Sequence, residues 1–266
     1  MTKRLVLITA ALVAALVSVG PAAAAPQAGP RMTLQVWLER GGKLWLTRRT
    51  VARTPAVAGA AVKQLFGGPN AAEKAAGVGS AVPAGSRLRG ISINARRTAT
   101  IDVSRVFAAP GDRASVRMRL AQLTFTASQF PTIDRVRLEV AGQVVHSIAG
   151  VPVPQPAAQQ DFYRLVPAIV VSRPAIGARI PATITVTGTA DVFEAVVHIR
   201  ILNANGRLLS ATHVLASCGT GCRGTYTATL SYHVLRKQRG TVLINGDNGR
   251  GTPPPVTRVP VRLSVG

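Results

Sequence analysis

Carboxylates are scarce in this 266-residue chain. Ten aspartates and glutamates stand against 32 lysines and arginines, a formal charge of +22. Glycoside hydrolysis needs two carboxylates facing each other across a sugar with pKa values driven apart, and no spacing in this sequence marks such a pair. Asp191 and Glu194 flank Phe193, but a strand-entry carboxylate bonded to backbone or to Arg200 accounts for them as well. The four histidines, His146, His198, His213 and His233, stand at no metal-ligand spacing from one another, from cysteine or from carboxylate. Aromatic residues make up only 4% of the chain, which argues against a sugar-stacking platform and against a nucleic-acid module of the aromatic–basic kind. There is no G-x-S-x-G, no H-E-x-x-H and no glycine-rich loop ending in Lys-Ser or Lys-Thr. No residue is assigned a catalytic, cofactor-binding or metal-ligating role, and the sequence reads as a non-enzyme without a small-molecule cofactor.

Long apolar runs are equally rare. The single one, Leu5 to Val19, follows Lys3-Arg4 and precedes the small residues Ala22 to Ala25, the pattern of a secretory signal peptide over residues 1–25. It is shorter than the ~20 residues of a comfortable membrane span, and no later stretch offers another. The expected product of cleavage near Ala25 is an extracytoplasmic protein, secreted or wall-associated, with no transmembrane span. No cysteine follows the run, so no lipid-modified N-terminus is expected.

Cysteine occurs twice, at Cys218 and Cys222. In an exported chain such a pair is expected to be a disulfide. A bridge over so short a loop constrains little entropy and staples one turn. The same loop spells G-x-G-x-x-G from Gly219 to Gly224. As a nucleotide fingerprint it needs a strand before it and a helix after it, whereas strand signals lie on both sides here.

The positive charge attracts polyanions. Arginine far outnumbers lysine and the cations are spread along the chain, which also fits a plain compositional bias.

Periodicity divides the chain. Met32, Leu34, Val36 and Leu38 alternate as in a half-buried strand; Gly41-Gly42 turns it, and residues 43–51 run back. Trp37 and Trp45 come close to opposite one another across that hairpin, where core packing is the expected role. Thr54-Pro55 opens a helix that ends at Phe66 before Gly67-Gly68-Pro69. Two short strands surround the turn at 94–97. A second amphipathic helix covers residues 113–130, and a strand follows around Val136, Leu138 and Val140. From residue 168 the period is two, with turns at 203–206 and at the cysteine loop, as in an immunoglobulin-like sandwich. Pro260 places the last strand at an edge. The fold class expected is an α+β N-terminal domain, a mixed sheet with two helices, followed by an all-β immunoglobulin-like sandwich. The expected boundaries are 31–149 for the first domain, 150–165 for a Pro-rich linker and 166–266 for the second. Pro152, Pro154 and Pro156 predict an extended, polyproline-like linker path and domains that fold separately.

The segments TPAVAGAAVKQLFGGPNAAEKAAGVGSAVPAGSRL (54–88), ATIDVSRVF (99–107) and RLAQLTFTASQFPTIDRV (119–136) resemble the GerMN domain of sporulation and spore-germination proteins. RPAIGARIPATITVTGTADVFEA (173–195) and ILNANGRLL (201–209) resemble the immunoglobulin-like domain of bacterial spore germination that often follows it. The resemblance implies a fold similar to ring-building modules of envelope complexes and brings no catalytic residues. The partner expected is another envelope protein, with an anionic wall polymer or glycan, bound by dispersed arginines, as the alternative. The partner surface is placed on the first domain, where Arg117, Gln122, Arg135 and Arg137 are expected to face solvent.

Overall fold

A computed structural model describes residues 29–247, 249 and 253–266. The expected signal peptide, 1–25, lies outside them. Strands β1 (Arg31–Arg40) and β2 (Lys43–Ala52) form an antiparallel hairpin. Its two-residue turn needs positive φ twice, and Gly41 and Gly42 supply +61° and +73°. Helix α1 (Val57–Phe66) buries Ala58, Ala61, Val62 and Leu65. A short helix that periodicity did not reveal, α2 (Ala71–Ala75), follows under an Asn70–Glu73 capping box.

Strands β3 (Leu88–Ile93) and β4 (Thr98–Val103) pair antiparallel, and β4 pairs parallel with β5 (Arg135–Val140). A parallel pair needs a crossover, which α3 (Arg113–Ala127) provides, with the Asp112 carboxylate accepting from Ser115 N at 2.6 Å as its N-cap. Short strands β6 (Gln143–Val144), β7 (Ser147–Ile148) and β8 (Val151–Pro152) follow. The first half is therefore α+β, as expected, but the hairpin β1–β2 stands apart from the mixed sheet β3–β4–β5–β6. From Val116 onward α3 is buried on nearly every side, because hairpin, α1 and mixed sheet surround it.

The proline-rich stretch does not take the extended path expected of it. Val151, Val153, Ala157 and Phe162 are buried, Ala157 pairs with Val136 of β5, and residues 159–165 form a 3-10 turn. The apolar side chains between the prolines make the difference, since burying them outweighs the stiffness of the proline rings.

The second half is a sandwich. Strands β9 (Ile169–Arg173), β10 (Arg179–Ile180), β11 (Thr183–Ala190), β12 (Phe193–Asn203), β13 (Leu208–Leu215), β14 (Gly224–Ser231), β15 (Gln238–Asp247) and β16 (Val256–Leu263) make two sheets. Their orders are β14–β11–β9 and β10–β16–β15–β12–β13. Inward residues alternate, as in Val197, Ile199 and Ile201 of β12 and Tyr226, Ala228 and Leu230 of β14. Gly188 is needed where a Cβ would lie 2.0 Å from the carbonyl oxygen of Val170. The Tyr226 hydroxyl crosses there to donate to that same oxygen at 3.2 Å.

The edge position expected for the last strand is corrected: β16 lies between β10 and β15. Within a strand, N–H and C=O of one residue point to the same side, and the Pro260 carbonyl accepts from Gly177 N at 2.8 Å. The missing donor thus faces the side where β10 has not yet begun, and no ladder bond is lost.

The halves touch through β2. Leu44, Trp45 and Leu46 meet Pro167, Ile169, Val170 and Val171, and one buried apolar cluster runs through both halves. Arg40 donates to Arg258 O at 2.8 Å, Lys43 to Arg164 O at 2.8 Å and Arg48 to Ser172 O at 2.9 Å.

Candidate functional site

The polar residues of α3 serve the interior. Gln122 is fully buried, which corrects its expected place on a partner surface. Its Oε1 accepts from Ala81 N at 2.8 Å, and its Nε2 donates to Trp37 O at 3.1 Å and Ser80 Oγ at 3.3 Å. Trp37 N donates to Thr126 Oγ1 at 3.0 Å, and Gln35 exchanges bonds of 2.9 and 2.8 Å with the Gln129 amide. Residues 122 and 126 share a helix face and Gln129 follows in the turn beyond it; together they stand where a third strand would pair with β1. Gln155 does the same for β5, accepting from Leu138 N at 3.1 Å and donating to Leu138 O at 3.0 Å and Val145 O at 2.8 Å. One turn before Gln122, buried Arg119 donates to the carbonyls of Ala81, Phe107 and Ala109 at 3.2, 2.6 and 2.8 Å.

The other residues of the expected surface are scattered. Arg117 is half-buried against the turn after β8, donating to Asp161 O at 3.1 Å. Arg135 and Arg137 are exposed and alternate with buried Val136 and Leu138, so they point away from the core in which α3 lies.

Glu73 is nearly inaccessible and fully engaged. Arg49 binds it with two nitrogens at 2.8 and 2.6 Å, Thr47 Oγ1 donates to it, and Asn70 N donates at 2.8 Å. Burial pushes this carboxyl up, but the bonds from Arg49, Thr47 and Asn70 outweigh it and hold its pKa below the usual range. This carboxylate locks α2 to β2 and is not free to exchange protons with a substrate.

Cys218 and Cys222 are bridged, with Cα atoms 5.8 Å apart, inside the expected window. Glycine at 219 and 224 is set by close packing, because a Cβ would lie 2.4 Å from Ala195 N and 2.2 Å from Cys218 N respectively. Asp191 accepts from Gly221 N at 3.1 Å and from the Tyr163 hydroxyl at 3.0 Å, which pins the loop to the domain junction. Its partners are backbone and Tyr163, not Arg200.

The two tryptophans are one step out of register, Trp37 opposite Leu46 and Leu38 opposite Trp45, so the pleat sends them to opposite faces. Trp37 meets Phe125 edge-on at 5.1 Å and Trp45 carries the Arg40 guanidinium at 4.7 Å. His198 and His213 face each other across β12 and β13, ring centres 6.0 Å apart. At the seam a cleft of about 270 Å³ is lined by Arg40, Lys43, Trp45, Pro167 and Arg258 among others. Burial and then Arg258 lower the Arg40 pKa; burial and then Arg173 do so for Arg48. Among the described residues no cluster of three or more His, Cys, Asp or Glu could hold a metal, and no helix is long and apolar enough to cross a membrane.

Strand edges differ. β13 ends the five-stranded sheet and lies against β14 of the other sheet; among the described residues no side chain bonds its backbone on the side away from β12. Leu208 and Leu215 are 52% and 70% exposed on it, and residues 208–215 contain no lysine or arginine.

An α+β domain of this kind, followed by an immunoglobulin-like sandwich, defines the class of the molecule. Residues 39–146 match the family Germane, described as "Sporulation and spore germination", and residues 168–251 match Gmad2, "Immunoglobulin-like domain of bacterial spore germination". The chain carries these two domains in that order. It is similar to the first GerMN domain of the sporulation protein GerM from Bacillus subtilis, with 18% identity, 49% of this chain and 99% of that chain covered, and a TM-score of 0.40. The tandem GerMN domains of the same protein match with 13% identity over 88% of this chain and 61% of that chain, TM-score 0.43. No curated protein matches the chain.

Proposed function

We propose that the protein is a non-catalytic, extracytoplasmic assembly component that binds another envelope protein. The open edge of β13 carries this reading. A strand paired on one side only, with exposed leucines and no cation, is a template on which a partner adds a strand. The structural employment of Glu73, Arg119 and Gln122 agrees with it, since each of these three buried groups is bonded to its own fold. Arg135 and Arg137 remain a second candidate contact on the first domain.

The test is a pull-down from envelope extract in moderate salt with wild type, Leu215→Lys and Arg135→Gln/Arg137→Gln. A charge on an edge strand blocks strand addition, so Leu215→Lys should lose a stoichiometric protein that the arginine variant keeps. Retention by Leu215→Lys would remove β13 from the interface. A bound component released by moderate salt would instead favour an anionic wall polymer, because exposed charge contacts are screened. That second reading draws on seam cations with no carboxylate partner among the described residues, Arg40 beside Arg258 and Arg48 beside Arg173.

A further inference from the structure

The strand register places three arginines side by side. Arg179 of β10 pairs with Arg262 of β16, which pairs with Arg239 of β15, and all three are exposed. Neighbouring strands lie ~4.8 Å apart, and like charges directly opposite one another destabilise a sheet. Nothing in the sandwich demands this arrangement. On the other sheet the equivalent outward pairs are hydroxyls, Thr185 with Thr229 at 3.1 Å and Thr183 with Ser231 at 2.9 Å.

No carboxylate relieves the row. The ion pairs among the described residues are Arg49–Glu73, Arg89–Asp102 and Arg97–Asp134, all in the first domain. The acids of the sandwich, Asp191, Glu194 and Asp247, lie at its opposite end, where Phe193 pairs with Asp247. The row sits one position from the near end, where Gln238 pairs with Leu263. From that end the β14–β15 loop projects Leu235, 87% exposed, followed by exposed Arg236 and Lys237. The base of the loop is rigid. The Tyr232 hydroxyl donates to Ile180 O at 2.8 Å and accepts from Ser264 N at 3.0 Å, joining loop, β10 and the end of β16.

We infer that this end of the sandwich, Arg179, Arg239 and Arg262 with the Leu235–Lys237 tip, docks on an anionic phospholipid bilayer. Guanidinium groups bind headgroup phosphates bidentately. A bare leucine directly beside cations suits the boundary between headgroups and acyl chains, whereas a soluble polyanion would make no use of it. The inference does not rest on the β13 reading.

The test is sedimentation of the chain lacking residues 1–25 with vesicles of phosphatidylglycerol or of phosphatidylcholine, with soluble polyphosphate as a third arm. Binding to phosphatidylglycerol alone, weakened by salt, is expected. Each cation near such a surface is worth about fivefold in partitioning, so Arg239→Gln/Arg262→Gln should lower it by about 30-fold. Leu235→Ser should lower it by about fivefold and leave polyphosphate binding unchanged. An equal loss in Arg135→Gln/Arg137→Gln, made on the other domain, would show net charge alone at work and overturn the inference. So would absence of vesicle binding, or vesicle binding indifferent to Leu235 and abolished by matched polyphosphate.

Discussion

The first domain closes the outer edge of its hairpin with side chains, and the second leaves the outer edge of β13 without such closure. Gln129, Thr126 and Gln122 bond the backbone of β1, and Gln155 bonds that of β5, whereas β13 has no such closure among the described residues. A carboxamide carries one donor and one acceptor group in fixed geometry, so it can stand in for the peptide of a missing strand. The difference teaches that two small sheets can share one core without a continuous ladder. The edge of β1 then depends on three side chains and that of β5 on one.

Four expectations would break or sharpen that comparison. Largest is Glu73→Gln, which breaks a buried pair and leaves Arg49 without its carboxylate, at about 3–5 kcal/mol in chemical denaturation. The same residue sets an acid limb. A carboxyl whose pKa is lowered by folding stabilises above its unfolded value of about 4.3, and that contribution is lost as pH falls through the lower folded value. Wild-type stability should therefore decline below about pH 4, and Glu73→Gln should flatten that decline. Next, Gln129→Ala and Gln155→Ala should each cost about 1–3 kcal/mol by leaving buried peptide groups unpaired; values near zero would mean that water replaces the amides. Replacing Cys218 and Cys222 by Ser should cost about 2 kcal/mol or less, because the bridge closes so few residues. Smallest is Thr212→Ala on β13, expected within about 0.5 kcal/mol, since an open edge has nothing to lose. A larger loss would reveal an edge that is not open in solution.

A further measurement concerns the junction. One buried cluster spans both halves, so thermal unfolding should show one transition, monitored by near- and far-ultraviolet circular dichroism together. Proteolysis should spare residues 151–166, where Val151, Val153, Ala157 and Phe162 are buried. Cleavage there into two folded fragments would restore the picture of separate units joined by a free linker.

Much of the fold was legible because each half has its own period. The alternation of β1, the glycine turn and the inward residues of β12 and β14 follow directly from it. The errors share a cause, the destination of polar groups. Gln122 reads as a solvent-facing residue of an amphipathic helix, yet hydrogen bonding turns it, with Arg119, Thr126 and Gln129, toward β1 and nearby carbonyls. Periodicity cannot distinguish water from a strand edge as the acceptor. Asn70 and Glu73 did carry a local signal, a capping residue with Glu three positions on, which the short length of α2 hid. The row of Arg179, Arg262 and Arg239 was invisible, because it exists only once the register brings three distant segments together.

The sandwich is also an electrical object. The Arg179–Arg262–Arg239 row lies at one end of β15 and the acidic side chains at the other, separated by about 30 Å at 3.4 Å per residue. Such a body has a permanent dipole along the strands, and a charged plane within a Debye length of about 10 Å exerts a torque on it. Rotational search near an anionic surface is thereby biased before any contact forms, and the sandwich approaches with Leu235 leading and Asp191 trailing.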